Sequence, residues 1–203
     1  MKKNELYISA DVESSGPIPG EYSMLSIGAC VVSNINKKFY LELKPLNNNY
    51  VFKAMQAGSL GLSFLNNLKN QPEYDPKSNL FKPRSVLEKL KEIGTNPDSA
   101  MHQFKGWIRN VSKGHDPVLV AFNAPYDWQF INYYFHKFLK ENPLGISALD
   151  IKANFMGKFS TGWYETSKRD VKQKLNLHRT HTHNALEDAI EQAEIFERLL
   201  NMR

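Results

Sequence analysis

Residues 6–13, Leu-Tyr-Ile-Ser-Ala-Asp-Val-Glu, decide the reading of this chain. Their side chains alternate as in a strand: Leu6, Ile8, Ala10 and Val12 point one way, Tyr7, Ser9, Asp11 and Glu13 the other. Asp11 and Glu13 lie two apart, so both carboxylates emerge from the same face. Two like charges side by side on a half-buried strand repel, and a cation must offset them. Mg²⁺ or Mn²⁺, which take oxygen ligands, are natural candidates. The alternative is a solvated strand end, because a Ser, Gly and Pro-rich turn follows at 14–20. The pair alone does not choose between them.

Outward from this strand, a second covers about Met24–Val32 and a third about Phe39–Leu43. The short Asn34–Lys37 connection predicts an antiparallel hairpin between them. Residues 44–100 carry the weakest pattern: a helical piece near 53–66, an Asn, Pro and Lys-rich loop at 66–85 and a short helix at 85–93. A long loop or insertion around 66–96 is therefore expected, the kind of element that serves as a lid or binding surface, or as decoration. From Pro97 a helix carries Met101, Phe104, Trp107, Ile108 and Val111 on one side. Pro117–Phe122 is an apolar strand of the buried type. Pro125 opens a helix to about Lys140 with Trp128, Ile131, Phe135 and Leu139 spaced for burial, and Ile146–Ile151 reads as a short strand. A last helix spans about His183–Leu200, its core side formed by Leu186, Ala189, Ile190, Ala193, Phe196 and Leu200. Three strands followed by alternating strands and helices indicate an α/β fold, a mixed sheet with helices packed on it.

The 203 residues suit one domain, 1–203, with enough apolar sequence (41%) for a core. The lone cysteine, Cys30, excludes a disulfide framework and points to a reducing cytoplasm; it reads as a small buried hydrophobe. The N-terminus lacks the apolar region of a signal peptide, and no window approaches the ~20 apolar residues of a membrane helix. A soluble, cytoplasmic protein with no membrane partner is expected. The net charge of +5 permits a polyanionic partner and becomes informative only beside an acidic, metal-binding site.

Three further residues complete the set. Asp127 stands in the first turn of the helix opened by Pro125; alone, it reads as an acid complementing the helix dipole. His183 and Asp188, in Thr182-His-Asn-Ala-Leu-Glu-Asp-Ala189, are about 140° apart on an ideal helix. That spacing fits a histidine on the turn before the helix, leaning toward a site served by Asp188. Alone, Asp188 reads as one more surface acid beside Glu187, Glu191 and Glu194.

The ordered set is what speaks. Asp-x-Glu at the end of the first strand, Asn-x-x-x-Asp after a later buried strand and His-x-Ala-x-x-Asp opening the last helix closely resemble the three motifs of the DEDDh 3′–5′ exonucleases. The resemblance runs from Tyr7 to about Leu200. The branch with a tyrosine four residues before the last aspartate is not matched, since Asn184 stands there and His183 is present. The resemblance implies a ribonuclease H-like fold with a mixed five-stranded sheet flanked by helices. It implies two divalent cations, Mg²⁺ or Mn²⁺, held by Asp11, Glu13, Asp127 and Asp188, with His183 as general base. The reaction implied is hydrolysis of phosphodiester bonds from the 3′ end of DNA or RNA, releasing nucleoside 5′-monophosphates. The implied partner is nucleic acid with single-stranded 3′ ends, and a homodimer is a common arrangement among small members.

Ser14, Asn123 and Tyr126 are the candidate substrate-binding residues by the same resemblance, with a core role for Tyr126 equally open. The turn Ser14-Ser-Gly-Pro-Ile18 departs from the family's usual turn, which leaves the apolar wedge at the terminal base to Ile18 or Met24. Asp150 reads as structural. The basic, aromatic-containing stretches 66–84 and 158–179 (Lys158, Trp163, Tyr164, Lys168, Arg169, Lys172, Lys174) either line a strand-binding groove or are solvated surface. Rival readings are a zinc site at His178, His181 and His183, whose spacing matches no common zinc motif, a catalytically idle binding scaffold, and an internally cutting nuclease.

Overall fold

The computed structural model describes residues 4–68, 70–179 and 182–202. Five strands, β1 (Glu5–Ser14), β2 (Met24–Val31), β3 (Asn34–Glu42), β4 (Asp116–Ala121) and β5 (Ala148–Asp150), form one sheet in the order β3-β2-β1-β4-β5. β1 runs antiparallel to β2 and parallel to β4; β3 is antiparallel to β2, and β5 parallel to β4. Among the described residues, seven α-helices accompany it: α1 (Phe52–Gly58), α2 (Pro83–Ile93), α3 (Pro97–Val111), α4 (Ala124–Leu139), α5 (Ile151–Phe159), α6 (Lys168–Leu175) and α7 (Ala185–Asn201). This is the mixed five-stranded sheet flanked by helices of the ribonuclease H-like fold.

The alternation in β1 has both of its faces buried. Ile8, Ala10 and Val12 pack with Met101, Phe104 and Ile108 of α3 and Phe130, Ile131 and Phe135 of α4. The opposite face meets α7, where the Tyr7 ring stands edge-on to Phe196 at 5.1 Å. Asp11 and Glu13 belong to that second face and lie where the strand runs out toward the helix N-termini. A third cluster, Leu25, Met55, Leu62, Leu65, Phe81, Val86, Leu87 and Leu90, gives residues 52–90 a small core of their own.

Several expectations shift. The hairpin turn is Val32-Ser33; Asn34–Lys37 belongs to β3, an edge strand whose exposed Asn and Lys side chains imitate a loop. The helical piece expected near 53–66 divides into α1 and a 3₁₀ turn at Ser63–Asn67, while the short helix expected at 85–93 is α2, which begins two residues earlier at Pro83. On α4 the buried stripe is Phe130, Ile131, Tyr134 and Phe135, while Trp128 and Leu139 are only partly covered. On α7 Leu199 is buried and Leu200 is 47% exposed, because Ile195 and Leu199 extend the core flank. Met24 is fully buried in the core, its amide donating to the Tyr134 hydroxyl at 2.8 Å, so it is no wedge. Cys30 is buried, and burial pushes its thiol up to about 12. Asp150 caps α5 through the Ala153 amide and also accepts from the Ala124 amide, a structural role.

Candidate active site

Three elements bring the predicted acids together. β1 supplies Asp11 and Glu13. Pro125 sets the entrance to α4, and the preceding Asn123 turns the chain there with a left-handed φ of 67°. That turn places Asp127 in the first turn of the helix, with its Oδ1 accepting from the Val12 amide at 3.0 Å. α7 carries Asp188, whose Oδ1 accepts from the Thr182 amide at 3.0 Å. Both Asp127 (4%) and Asp188 (0%) are buried, so Asp188 is not the surface acid it resembles in isolation.

His183 sits on the turn just before α7, in a left-handed conformation with φ 55°. Non-glycine residues hold that conformation only where their surroundings enforce it. Asn184 does so: its Oδ1 caps the amides of Leu186 and Glu187, and its Nδ2 donates to the Gly61 carbonyl at 2.7 Å. The histidine's Nδ1 is thereby held 3.9 Å from Glu13 Oε1. Ligand atoms of Glu13, His183 and Asp188 all lie within 4.8 Å of one another.

Electrostatics mark the cluster as under strain. Burial raises the proton affinity of Glu13 well above the carboxylate norm, and the charges of Asp11, Asp188 and Asp127 raise it further. Asp127 is raised by burial and by Asp11, with the Val12 amide and the Lys168 charge opposing.

Three features lay outside the motifs. Gln192, 1% exposed, donates from Nε2 to Asp11 Oδ1 at 2.6 Å and accepts the Phe122 amide at 2.8 Å, joining α7, β1 and the end of β4. Residues 58–61 press on the site: a Cβ on Gly58 would stand 2.9 Å from the Ser14 carbonyl oxygen, and one on Gly61 2.2 Å from that of His183. Glu191 is 1% exposed and paired with Lys168 and Lys172 at 3.2 and 2.6 Å. Sequence offered one signal for these, a helix whose polar residues 191 and 192 lie beside its apolar stripe.

Among the substrate-binding candidates, Ser14 is buried and its Oγ meets the Tyr126 hydroxyl at 2.6 Å, while Tyr126 packs on Phe130. Asn123 is exposed at the mouth of α4, and Ile18 is 52% exposed on the turn after β1. His178 lines a basic cleft with Lys172 and Arg179, and His181 lies outside the described residues. No helix among the described residues is long and apolar enough to cross a membrane.

An exonuclease family, RNase_T, matches residues 84–196, which contain Asp127, His183 and Asp188. The chain belongs to this exonuclease family, and its set of four acids and one histidine puts it among the DEDDh 3′–5′ exonucleases. It is similar to the 3′-5′ DNA exonuclease Cap18 of Escherichia coli, 42% identical over 193 residues that cover 95% of this chain and 90% of that one. In fold it resembles the nuclease domain of 3′hExo, a DEDDh member bound to rAMP (TM-score 0.69, 12% identity, 98% and 93% covered). A second likeness in fold is to S. pombe Pop2p in its Mg²⁺- and Mn²⁺-bound form (TM-score 0.56, 16% identity, 94% and 81% covered).

Proposed function

We propose that this chain removes nucleotides singly from the 3′ end of DNA, releasing nucleoside 5′-monophosphates, with Asp11, Glu13, Asp127 and Asp188 holding two divalent cations and His183 acting as general base. The convergence of these residues from separate elements carries the reading, above all the approach of Glu13, His183 and Asp188 within 4.8 Å. DNA is favoured because the relative at 42% identity is named as a DNA exonuclease. The homodimer expected from the resemblance finds no support in the relatives and is left out.

The donor set suits Mg²⁺ or Mn²⁺. Four carboxylates offer hard oxygen ligands, and the raised proton affinity of Glu13 and Asp127 is the mark of negative charge awaiting compensation. Bound there, the cations would lower the pKa of the attacking water and offset charge on the attacking and leaving oxygens of the phosphodiester.

The chain's own groups supply the rest. His183 takes the proton of the water whose oxygen attacks phosphorus, a task suited to an imidazole. Glu13, 3.9 Å from its Nδ1, would help offset the charge of the imidazolium formed. The bond from phosphorus to the 3′ oxygen breaks, and that oxygen leaves on the shortened strand as a new 3′-hydroxyl. Gln192 and the Val12 amide keep Asp11 and Asp127 aimed throughout.

Matched DNA and RNA oligomers labelled at the 3′ end, single- and double-stranded, test the reading in Mg²⁺ and Mn²⁺. Label should leave DNA as mononucleotide while a circular single strand stays whole. Cutting of the circle would refute end-dependence, and release confined to RNA would refute the substrate.

A further inference from the structure

Tyr50 and Phe52, 41% and 48% exposed, are large aromatic side chains left open to solvent beside the candidate site. They line a groove of about 360 Å³ with Phe81, Lys82 and Arg84. The groove is built rather than incidental. Phe81 is 5% exposed, belongs to the small core under residues 52–90, and backs the Phe52 ring edge-on at 6.1 Å. Its charge is also available. Arg84 meets Glu88 at 3.2 Å across side chains that are 67% and 58% exposed, a pair that water screens and a phosphate can displace. In the rival basic cleft at residues 168–179, Lys168 and Lys172 bind buried Glu191 and Arg179 binds Glu187 and Glu194; its exposed cation is Arg169, 3.5 Å from Asp170, and among the described residues no exposed Phe, Tyr or Trp side chain lines it.

The chain that carries the groove's aromatic residues is tied to the strand end that carries the acids. The Val51 amide donates to the Ser15 carbonyl at 2.8 Å, and Ser15 Oγ donates to the Asn49 carbonyl at 2.9 Å. α1 begins at Phe52 and ends at Gly58, which lies against Ser14 and Glu13. Six residues of helix span about 9 Å, the length of roughly three stacked nucleotides. Exposed rings flanked by cations are the chemistry that holds single strands, because every base offers a π-face.

We propose that Tyr50 and Phe52, flanked by Lys82 and Arg84, form a strand-binding subsite that stacks a nucleobase of single-stranded nucleic acid about three nucleotides upstream of the 3′ terminus. The subsite rests on the function proposed above and adds to it how the enzyme grips the strand behind the cut.

Steady-state cleavage of a thymidine ten-mer, the same ten-mer with an abasic residue fourth from its 3′ end, and a dinucleotide tests it on the full chain. Tyr50→Ala with Phe52→Ala should raise KM for the ten-mer about 5- to 100-fold. The penalty should shrink to under twofold on the dinucleotide and on the abasic strand, and Phe52→Trp should restore the wild-type KM. Lys82→Gln with Arg84→Gln should raise KM and flatten its salt dependence. Unchanged KM in every variant, a penalty of equal size on the dinucleotide, or a change in sedimentation in place of KM would each overturn the subsite. Wild-type enzyme that shortens the ten-mer in Mg²⁺ keeps the function reading whatever the variants do; wild-type enzyme that shortens nothing overturns both.

Discussion

Two substitutions separate the roles proposed for Gln192 and His183. Gln192 holds Asp11 at 2.6 Å with one end of its amide and the Phe122 backbone at 2.8 Å with the other. Gln192→Leu keeps the volume and removes both bonds; the Mg²⁺ concentration for half-maximal activity should rise about 10- to 100-fold, the usual cost of losing a residue that orients a ligand. His183→Ala should lower kcat about 10²- to 10⁴-fold while KM and the Mg²⁺ requirement barely move. A Mg²⁺ requirement shifted by His183→Ala would make the histidine a metal ligand instead. The five motif residues were legible because their order and spacing are distinctive, although each alone invites an ordinary explanation. Gln192 was not legible, because its partner lies 181 positions away. Glu191, counted with the surface acids from its helical neighbours, is buried because α6 folds back with Lys168 and Lys172 to meet it.

Among the elements, α7 depends on a gap in β2. A Cβ on Gly28 would stand 2.2 Å from the Ala185 carbonyl carbon and from the Leu186 amide nitrogen, both backbone atoms that cannot swing aside. Gly28→Ala should therefore cost about 1–3 kcal/mol, read as a Tm lowered by several degrees. It should also depress activity, because Asp188 and Gln192 ride on the displaced helix. An unchanged Tm would mean that α7 lies farther from the sheet than described. Strands and helices with strong periodicity were legible: β1, β2, β4, α3 and α7 fall within a few residues of their expected limits. β3 was shortened because its first residues alternate polar side chains into solvent at the sheet edge. Residues 44–100 resisted because their helices are short, and the contacts that fix them, such as Asn184 to Gly61, are long-range.

For the molecule as a whole, the acid cluster couples stability to pH and to metal. Glu13 and Asp127 are both raised in the folded protein, chiefly by burial, whereas unfolded carboxylates titrate near 4. Between those values the folded state binds more protons than the unfolded one. Metal-free stability is therefore complete below about pH 4 with respect to these groups, and declines as pH rises toward their folded pKa. With the acids as the proposed ligands, divalent cations would bind their ionised form in the folded state, so they should stabilise more at pH 8 than at pH 5. At tenfold excess over Kd the gain is about 1.4 kcal/mol, or roughly 3–6 °C in Tm for a chain of this size. Thermal melts with and without Mg²⁺ at both pH values check this; equal shifts at pH 5 and pH 8 would contradict it. Asp127→Asn should raise the metal-free Tm at pH 8 and lose activity, since it removes the repulsion along with the ligand.

The proposed function has the acids gathered by β1, α4 and α7 hydrolysing a 3′-terminal phosphodiester with the help of divalent cations. Its most direct test is a single-stranded DNA oligomer labelled at its 5′ end, incubated in Mg²⁺ with wild type and with Asp11→Asn. The wild type should shorten the strand in single-nucleotide steps and stop when Mg²⁺ is chelated, and Asp11→Asn should leave it intact. Equal shortening by the two proteins, or shortening that persists in chelator, would contradict the account.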